Sequence, residues 1–279
     1  MADNKRIAVV NDLSGFGRCS LTVALPILSA MGFQACPLPT AVLSAHTGYD
    51  KPHIRDCTVD MAASLEHWKR LHLQFDGVYT GFLGNQQQAD VLIPFLQEAQ
   101  NVFRLVDPAM ADHGRLYASC PPAMVKGMGR LVALATVATP NLTEACLLTN
   151  TPYAPLLAMS VAERRDAVEA MARELLGRGC AAVVITGVPE GDRLENAVLE
   201  RLDAPVSWIG CQRVERYFAG TGDVFAAVLC GHLMNGLALC AAVEQTVAFV
   251  RRVTEYTALS GGPEQDGVAF EAFLRELCP

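Results

Sequence analysis

Short apolar segments alternate with longer amphipathic segments along most of this chain. The short runs are rich in β-branched residues, as strands are, and read "RIAVV", "FQACPLP", "DGVYTGF", "RLVD", "TVATP", "AAVVITG" and "PVSWIG". The longer segments have the spacing of helices and cover residues 20–31, 58–73, 86–100, 121–134, 160–177, 221–234, 238–259 and 268–277. This alternation predicts a doubly wound α/β fold, in which helices flank a mostly parallel central sheet in three layers (α/β/α).

The composition agrees with a single α/β unit. The 279 residues are 51% hydrophobic, which is enough to bury a large core. No internal repeat, low-complexity stretch or linker divides the sequence, so residues 1–279 are expected to form one domain. Within it, Ser160 and Glu163 have the spacing of a capping box and predict a firm helix start.

Charge and cysteine content narrow the class of partner and the compartment. The formal net charge is -7 and there is no long Lys/Arg block, so we expect a small-molecule partner and no nucleic acid. The ten cysteines form no C-x-x-C pair, and several lie in apolar runs, as reduced buried thiols do. No segment reaches the roughly 18 apolar residues of a membrane span, and the N-terminus lacks a signal-peptide core. We therefore expect a cytoplasmic protein that does not bind membranes.

Polar residues directly follow most of the expected strands. In a doubly wound sheet ligands bind at the carboxyl ends of the strands, so these positions are expected to form the site. In chain order they read "NDLSGFG", "TAVLSAHTGYD", "YTGFLGN", "VDPAMAD" and "TPNLTE", and a later strand ends at Thr186. A purely structural interaction protein would have little use for such strand ends.

Two common nucleotide motifs can be excluded. Gly15-Phe16-Gly17 follows a strand as a dinucleotide fingerprint would, but the third glycine and the acid about 20 residues further on are missing. The sequence has no G-x-x-x-x-G-K-[ST] motif, so a P-loop would not hold a phosphate here. A dehydrogenase is disfavoured, and phosphate binding would need another device.

The segment "YFAGTGDVFAAVLCGHLMNG", residues 217 to 236, supplies such a device. Gly220 and Gly222 allow a turn in which free N–H groups at the start of a helix converge on one anion, and the helix dipole favours the same charge. Asp223, in the first turn, would lie beside a transferring phosphoryl group and accept the proton of an attacking hydroxyl. The alternative, in which Thr221 or Asp223 only caps the helix, stays open at this point.

Several of these segments resemble, in the same order, those of one enzyme superfamily. "FAGTGDVFAAVL" is similar to the G-T-G-D signature of the ribokinase-like superfamily, and "PTAVLSAHTGYD" resembles the substrate loop of its pyridoxal kinases. "TGFLGN", "DPAMAD" and "TPNLTE" resemble further blocks of that family, and the likeness runs from residue 7 to about residue 260. The resemblance implies a ribokinase-like fold and an ATP-dependent kinase. Its substrate would be the 5'-hydroxymethyl group of pyridoxal, pyridoxamine or pyridoxine, in the salvage of vitamin B6.

Carried over block by block, the resemblance assigns roles at the nucleotide end of the site. Asp223 would be the catalytic base, with Gly220, Thr221 and Gly222 as the anion hole. The nucleotide-binding residues would be Asp107, Asp112, Thr139, Asn141, Glu144 and Thr186. Of these, Asp107 and Glu144 would hold Mg2+, which prefers oxygen ligands, and a monovalent cation such as K+ is a further candidate. Taken alone, Glu144 also fits a first-turn helix acid and Asp107 a turn residue next to proline.

For the vitamin ring, the resemblance points to the strand ends of the N-terminal half. The substrate-binding residues would be Asp12, Ser14, His46, Thr47, Tyr49 and Phe82. The sequence around Asp12 departs from the usual family pattern, and Phe82 stands where several members carry tyrosine, which leaves the preferred vitamer open. Without the resemblance, His46 would be interpreted as an ordinary hydrogen-bonded histidine.

The alternatives are other proteins of the superfamily. Kinases of the hydroxymethylpyrimidine branch often carry cysteine where this chain has Asp223, so a hydroxymethylpyrimidine kinase of thiamine synthesis ranks second. A non-catalytic nucleotide-binding regulator would not need Asp223. For the B6 kinase we expect an ordinary carboxylate pKa of the base to suffice, the loop of residues 110–122 to close over ATP, and a homodimer.

Overall fold

A computed structural model describes the protein at residues 4–98 and 101–279. The strands of this part of the chain are β1 (Arg6–Ser14), β2 (Gln34–Leu43), β3 (Ile54–Asp56), β4 (Gly77–Thr80), β5 (Phe103–Val106), β6 (Ala111–Asp112), β7 (Arg115–Leu116), β8 (Val137–Ala138), β9 (Val183–Glu190), β10 (Arg193–Leu199) and β11 (Ser207–Gln212). Its α-helices are α1 (Ser20–Ala30), α2 (Thr58–Arg70), α3 (Gln86–Glu98), α4 (Met124–Val132), α5 (Leu142–Thr149), α6 (Tyr153–Ala158), α7 (Val161–Gly177), α8 (Thr221–Met234) and α9 (Leu239–Ser260). Two 3-10 helices, Glu264–Asp266 and Phe270–Leu277, follow α9.

The central sheet has nine strands in the order β11-β10-β9-β8-β5-β4-β1-β2-β3. The six adjacent strands from β9 to β2 are parallel, whereas β3 at one edge and β10 and β11 at the other pair antiparallel. From β1 the chain passes first to β2 on one side and later to β4 on the other. The strand order therefore reverses between β1 and β4, which is where doubly wound sheets bind ligands.

The helices form one layer on each face of the sheet. On one face, α2 to α7 pack against strand residues such as Val10. On the other face, α1, α8, α9 and the last 3-10 helix pack against residues such as Val9. Successive side chains of a strand point to opposite faces, so the two neighbours contribute to different layers. The predicted three-layer, doubly wound α/β fold is confirmed.

Helix α8 shows why an apolar run follows the glycine turn. All of its residues from Val224 to Gly231 are buried, and it packs against α1 and α9 within its layer. A helix that is apolar all round is a helix covered on all sides. The core thus holds α8 firmly and fixes the position of its N-terminus at the carboxyl ends of the parallel strands.

Strand β1 is longer than predicted and is irregular at Asp12. The sequence predicted a strand over residues 6–10 and a polar loop after it. In the structure β1 continues beside β2, and the register of the pair shifts between Asn11 and Leu13. Bulges of this kind redirect a side chain and are common next to active sites. Asp12 therefore belongs to the strand and not to the loop that follows.

Other differences occur where the local sequence signal is weak. Strand β10 was not predicted, because the polar Glu195 and Asn196 interrupt its apolar run, although both are buried. Helices α5 and α6 were also not predicted. The helix expected over 268–277 is a 3-10 helix, since so short a segment gains little from α-helical cooperativity. The helix expected over 86–100 begins as predicted, and residues 99–100 lie outside the described part.

Three smaller features of the sequence are visible in the structure. Ser160 caps α7, with the N–H of Glu163 donating to its Oγ at 3.3 Å and its own N–H donating to Oε2 of Glu163 at 2.9 Å, so the predicted capping box is confirmed. All ten cysteines are free thiols, and Cys278 is the exposed one. Within the described ranges, we find no helix whose length and apolar character would let it span a membrane.

Candidate active site

A glycine turn places the N-terminus of α8 at the carboxyl end of the sheet. Gly220 has a φ of +72°, and a Cβ at this position would lie 1.9 Å from the carbonyl oxygen of Arg18. Only glycine fits there. The first intrahelical bond runs from the N–H of Val224 to the carbonyl of Gly220 at 3.0 Å. The N–H groups of residues 221–223 therefore have no partner within the helix and, with the helix dipole, form an anion site.

Asp223 lies in this first turn with a strongly raised pKa. Burial is the main cause of the higher pKa, and the nearby charge of Asp12 raises the pKa further. Hydrogen bonds from the backbone of Ser20 and from the side chain of Asn11 lower it in part. Together these effects raise the pKa of Asp223 to about 7. The pKa of Asp223 thus lies above the ordinary carboxylate value that we expected to suffice for the base, because desolvation at the cavity wall disfavours the charged form. A base with a pKa near the working pH accepts and releases a proton readily.

Two cavities meet at Asp223. One has a volume of about 330 Å³ and the other of about 440 Å³. The residues that line both are Ala109, Tyr117, Tyr217, Gly220 and Asp223. Two adjoining cavities with a carboxylate and an anion site at their junction suit the transfer of an anionic group from one ligand to another.

The smaller cavity gathers every residue that the sequence assigned to nucleotide binding. Its wall contains Asp107, Asp112, Thr139, Asn141, Glu144 and Thr186, together with Gly220, Thr221 and Gly222. Most of the first group follow β5 and β8, and Thr186 lies in β9. Since parallel neighbours end at the same edge of a sheet, these distant segments reach one place.

Residues of the C-terminal half complete this cavity, and sequence analysis missed them. They include Leu194, Asn196, Cys211, Gln212, Val214, Arg216, Phe225, Val247, Val250, Arg251 and Thr254. Most lie on β10, β11 and α9, and the apolar ones suit the flat face of a nucleobase. No short motif marks them, because packing of the antiparallel edge against α9 brings them together.

Glu144 ties two segments of the smaller cavity together. The N–H of Glu144 donates to Oδ1 of Asn141 at 2.9 Å, and the N–H of Asn141 donates to Oε2 of Glu144 at 2.9 Å. Oε1 of Glu144 accepts from the N–H groups of Met110 at 3.0 Å and Ala111 at 3.4 Å. The helix-acid interpretation that the sequence left open is thus observed, and the same carboxylate also fixes the loop after β5. Burial raises the pKa of Glu144 to about 8, although these hydrogen bonds lower it.

The carboxylates of this cavity suit a bound cation. Burial raises the pKa of Asp107 well above its usual range, and the charges of Glu144 and Asp223 raise it further. A divalent cation would offset this repulsion. In the described residues, no three His, Cys, Asp or Glu side chains are grouped so as to hold a metal by themselves. The residues present therefore fit Mg2+, which keeps several waters and binds through one or two carboxylates and phosphate oxygens.

The larger cavity contains four of the six residues assigned to the vitamin. Asp12, His46, Thr47 and Phe82 line its wall. Asp12 is 5% exposed, and its two carboxylate oxygens accept hydrogen bonds from Oγ of Ser20 at 2.5 Å and Oγ of Ser14 at 2.7 Å. Burial raises the pKa of Asp12 in spite of these bonds. The cavity thus has a buried, firmly held carboxyl group in its wall.

Ser14 and Tyr49 are the two assigned residues that do not line this cavity. Ser14 is fully buried, and its hydroxyl is used by Asp12. The hydroxyl of Tyr49 donates to Oδ1 of Asp266 at 2.6 Å. Because both polar groups are turned towards neighbouring side chains, these two residues support the cavity wall.

His46 reaches the cavity with both ring nitrogens already used. Its Nδ1 accepts from the N–H of Gly48 at 3.1 Å, so the proton is on Nε2, which donates to the carbonyl oxygen of Gln265 at 2.7 Å. The hydrogen-bonded interpretation of this histidine is therefore observed. A ligand would meet the ring and not a free nitrogen.

Sequence analysis also missed part of the larger cavity. The missed lining residues are Cys19, Ser20, Leu43, Gly48, Ala118, Ala219, Glu264 and Gln265. The last two are unexpected, because they follow α9, outside every strand end. Burial raises the pKa of the Cys19 thiol far above its usual range, so this cysteine is not a reactive nucleophile.

The segment 110–122 lies along both cavities. Tyr117 lines the two of them, and Asp112 lines the smaller one. The hydroxyl of Tyr217 donates to Oδ2 of Asp112 at 3.0 Å, and the rings of Tyr217 and His113 are 5.2 Å apart. The segment is thus tied to the chain just before the glycine turn. Its closure over ATP stays a prediction.

Known proteins with similar sequences and structures are kinases. The model of the phosphomethylpyrimidine kinase family matches residues 26–267. A pyridoxine/pyridoxal/pyridoxamine kinase of Bordetella avium is 30% identical over 272 residues, which cover 89% of this chain and 84% of that protein.

Solved structures agree over nearly the whole chain. A putative phosphomethylpyrimidine kinase from Bacteroides thetaiotaomicron is 38% identical, with a TM-score of 0.92 over 99% of this chain and 95% of that one. An orthorhombic form with pyridoxal, from the same organism, is 37% identical, with a TM-score of 0.90 over 99% and 96% of the two chains. Pyridoxal kinase from Lactobacillus plantarum is 30% identical, with a TM-score of 0.89 over 99% and 97%.

Proposed function

This chain belongs to the phosphomethylpyrimidine kinase family, and within that family we propose that it is an ATP-dependent vitamin B6 kinase with a ribokinase-like fold. It phosphorylates the 5'-hydroxymethyl group of pyridoxal, pyridoxamine or pyridoxine. The relative from Bordetella avium is named for these three substrates, and the orthorhombic Bacteroides structure was determined with pyridoxal.

The observation that carries the proposal is the position of Asp223. It lies at the junction of the two cavities, directly after the turn whose free N–H groups form the anion site. A base that touches both cavities is needed when a hydroxyl in one attacks a phosphate in the other. A nucleotide-binding regulator without catalysis would not need a carboxylate of raised pKa at that point.

The reaction follows from this arrangement. The hydroxymethyl oxygen of the vitamer, bound in the larger cavity, attacks the γ-phosphorus of ATP, bound in the smaller one, and ADP leaves. Asp223 accepts the proton of the attacking hydroxyl. In the transition state the negative charge is spread over the phosphoryl oxygens. The N–H groups at the start of α8 stabilise this charge by donating hydrogen bonds to those oxygens. Afterwards Asp223 releases the proton to water.

Asp107 and Glu144 would help to hold Mg2+, and Asp112, Thr139, Asn141 and Thr186 the nucleotide phosphates. When bound, Mg2+ supplies charge neutralisation at the phosphates. The residues of the chain keep that region ordered, because the carboxylate of Glu144 joins the start of α5 to the loop after β5. A monovalent cation such as K+ would act in the same cavity.

Further properties of this kinase extend the proposal. The whole chain, residues 1–279, acts as one kinase domain, which is supported by solved relatives that match 99% of it. It works in the cytoplasm, where its ten free thiols stay reduced. It forms a homodimer, for which the neighbouring exposed apolar residues Leu13 and Val42 are a candidate contact. Sedimentation of the purified protein tests the dimer.

The second candidate is a hydroxymethylpyrimidine kinase, which the name of the family favours. Competition between pyridoxal and hydroxymethylpyrimidine, with Mg-ATP in excess, decides between them. We expect the higher kcat/KM for pyridoxal. A higher kcat/KM for the pyrimidine would overturn the B6 assignment and keep the kinase assignment, whereas turnover of neither would overturn both.

A further inference from the structure

The wall of the vitamin cavity includes a short segment from the far end of the chain. Residues 264–267, which we term the C-terminal segment, comprise a 3-10 helix and the glycine after it. Glu264 and Gln265 line the larger cavity. The function proposed above gives this segment no role.

Three hydrogen bonds join the C-terminal segment to the loop of residues 46–49. The carbonyl oxygen of Gln265 accepts from Nε2 of His46 at 2.7 Å, and Nε2 of Gln265 donates to the carbonyl oxygen of Gly48 at 3.1 Å. Oδ1 of Asp266 accepts from the hydroxyl of Tyr49 at 2.6 Å. Every described side chain of this loop that has a ring is therefore bonded to the C-terminal segment.

The other side of the C-terminal segment is bonded to the surroundings of the glycine turn. The carbonyl oxygen of Asp266 accepts from the N–H of Arg18, and that of Glu264 accepts from the N–H of Ala219, both at 3.1 Å. The side chain of Glu264 also pairs with Arg216 at 3.3 Å, and Arg216 lines the nucleotide cavity. The segment thus bridges the loop of the vitamin cavity and the chain that leads into the anion site.

Close docking of the C-terminal segment depends on its glycine. Gly267 has a φ of +81°, and a Cβ there would lie 2.8 Å from the carbonyl oxygen of Arg18 and 3.1 Å from that of Ala219. A larger residue would strain the backbone and push the segment away from both. At Gly262, a few residues earlier, a Cβ would meet no atom within 4 Å.

We propose that the C-terminal segment is a positioning element that holds the loop of residues 46–49 in place, so that the vitamin cavity is complete only when this segment is docked. Surface loops are more mobile than helices and strands unless other parts of the fold hold them. A loop ordered in advance lowers the entropy cost of binding the substrate. Loss of the docking contacts should therefore weaken vitamer binding more than ATP binding. The kinetic part of this proposal rests on the proposed B6 kinase function.

Paired glycine variants give the first test. We expect Gly267→Ala to raise KM for pyridoxal by about 10-fold and KM for ATP by a clearly smaller factor, because the loop loses its ordering while the core packing of α8 still holds the anion site. Gly262→Ala, the matched control, should behave as the wild type. An unchanged KM for pyridoxal in a folded Gly267→Ala protein, or equal effects of the two variants, would overturn the proposal.

The bond between Tyr49 and Asp266 gives a test that does not depend on the backbone. Tyr49→Phe and Asp266→Ala should each raise KM for pyridoxal, and the double variant should raise it no more than the larger single effect. Asp266→Asn should restore most of the affinity, because its amide oxygen also accepts from the tyrosine hydroxyl. Glu276→Ala, at an exposed acid after the segment that pairs with Arg252, is the control. Fully additive single effects would contradict the proposal.

Amide hydrogen exchange provides a readout without substrate. In Gly267→Ala and Asp266→Ala, exchange of residues 44–49 should accelerate by about 10-fold or more, while exchange in the central strands stays as in the wild type. Unchanged exchange in the loop would overturn the proposal even if the enzyme is a B6 kinase. A wild type that phosphorylates no vitamer would instead overturn the proposed function, and the exchange measurement would still decide on the positioning role.

Discussion

Asn11 donates a hydrogen bond from Nδ2 to Oδ1 of Asp223 at 3.4 Å, across 212 positions of the chain. Its own Oδ1 accepts from the N–H groups of Asp12 at 3.0 Å and Phe82 at 2.8 Å. Asn11 is fully buried. One amide therefore links the proposed base to two residues of the proposed vitamin cavity, and we expect Asn11 to be a positioning residue for Asp223.

The pH dependence of the wild type should report the raised pKa of Asp223. The base works only when it is deprotonated, so the rate is high above its pKa and falls as the pH drops through it. Since that pKa is raised to about 7, kcat should lose about half of its maximum near neutral pH. Steady-state rates between about pH 5 and pH 9 measure this. A rate that stays constant down to about pH 5 would contradict the raised pKa.

Asn11→Asp should move the acidic limb of the pH profile, the fall of kcat at low pH, to higher pH. The substituted carboxylate keeps an oxygen for the N–H groups of Asp12 and Phe82, but it replaces a donor beside Asp223 with a like charge, which raises the pKa of the base. We expect a shift of about one pH unit and a lower rate at neutral pH. The same pH series measures it, and a limb at the wild-type position would remove the positioning role of Asn11.

Asp223→Asn should abolish most turnover. The amide keeps the size of the side chain but cannot accept the proton, so kcat should fall by roughly 100-fold or more while ATP affinity changes little. Rapid-quench assays and nucleotide titration measure the two quantities. Near-normal turnover would show that the carboxylate is not the base, whatever the substrate.

The two glycines of the turn should respond differently to alanine. At Gly220 the added Cβ collides with the backbone at Arg18, so Gly220→Ala should lower the melting temperature by several degrees or more. At Gly222 the Cβ meets no atom, and the residue lines the nucleotide cavity, so Gly222→Ala should fold normally and bind ATP more weakly. Calorimetry and nucleotide titration separate the effects. Equal losses of stability in the two variants would contradict the assignment of a backbone role to Gly220 and a nucleotide-binding role to Gly222.

Glu144→Gln should raise the Mg2+ concentration needed for the half-maximal rate. The neutral amide is a poorer partner for a metal-bound water and offers one acceptor oxygen where the carboxylate uses two. Glu163→Gln alters the other observed capping box that involves a glutamate, at the start of α7, and is the matched control. Magnesium titrations of both variants measure this. If the magnesium curve of Glu144→Gln matches that of the wild type, Glu144 has only a structural role.

Local sequence was sufficient wherever a residue's role follows from its place at a strand end or a helix start. The residues from Asp107 to Thr186 were expected to meet at one site, because parallel strands bring their carboxyl ends together regardless of side-chain detail, and they line one cavity. Their assignment to the nucleotide came from the family resemblance and stays a prediction. Gly220 was predicted because a left-handed turn needs glycine whatever surrounds it. The capping box of Ser160 and Glu163 was also predicted, because this motif lies within four consecutive residues and does not depend on the rest of the fold.

The sequence by itself determined the fold class and the kinase family, and it led to the prediction of Asp223 as the base, because these depend on periodicity and on short motifs. Only the tertiary structure decided the pKa of Asp223, the role of Asn11 and the docking of residues 264–267 against the loop of residues 46–49. Burial and charge proximity are properties of the packed chain, and hydrogen bonds between residues more than 200 positions apart leave no periodic or local signal. The same reason explains His46: the family resemblance suggested a ligand contact, whereas packing directs both of its ring nitrogens to backbone partners.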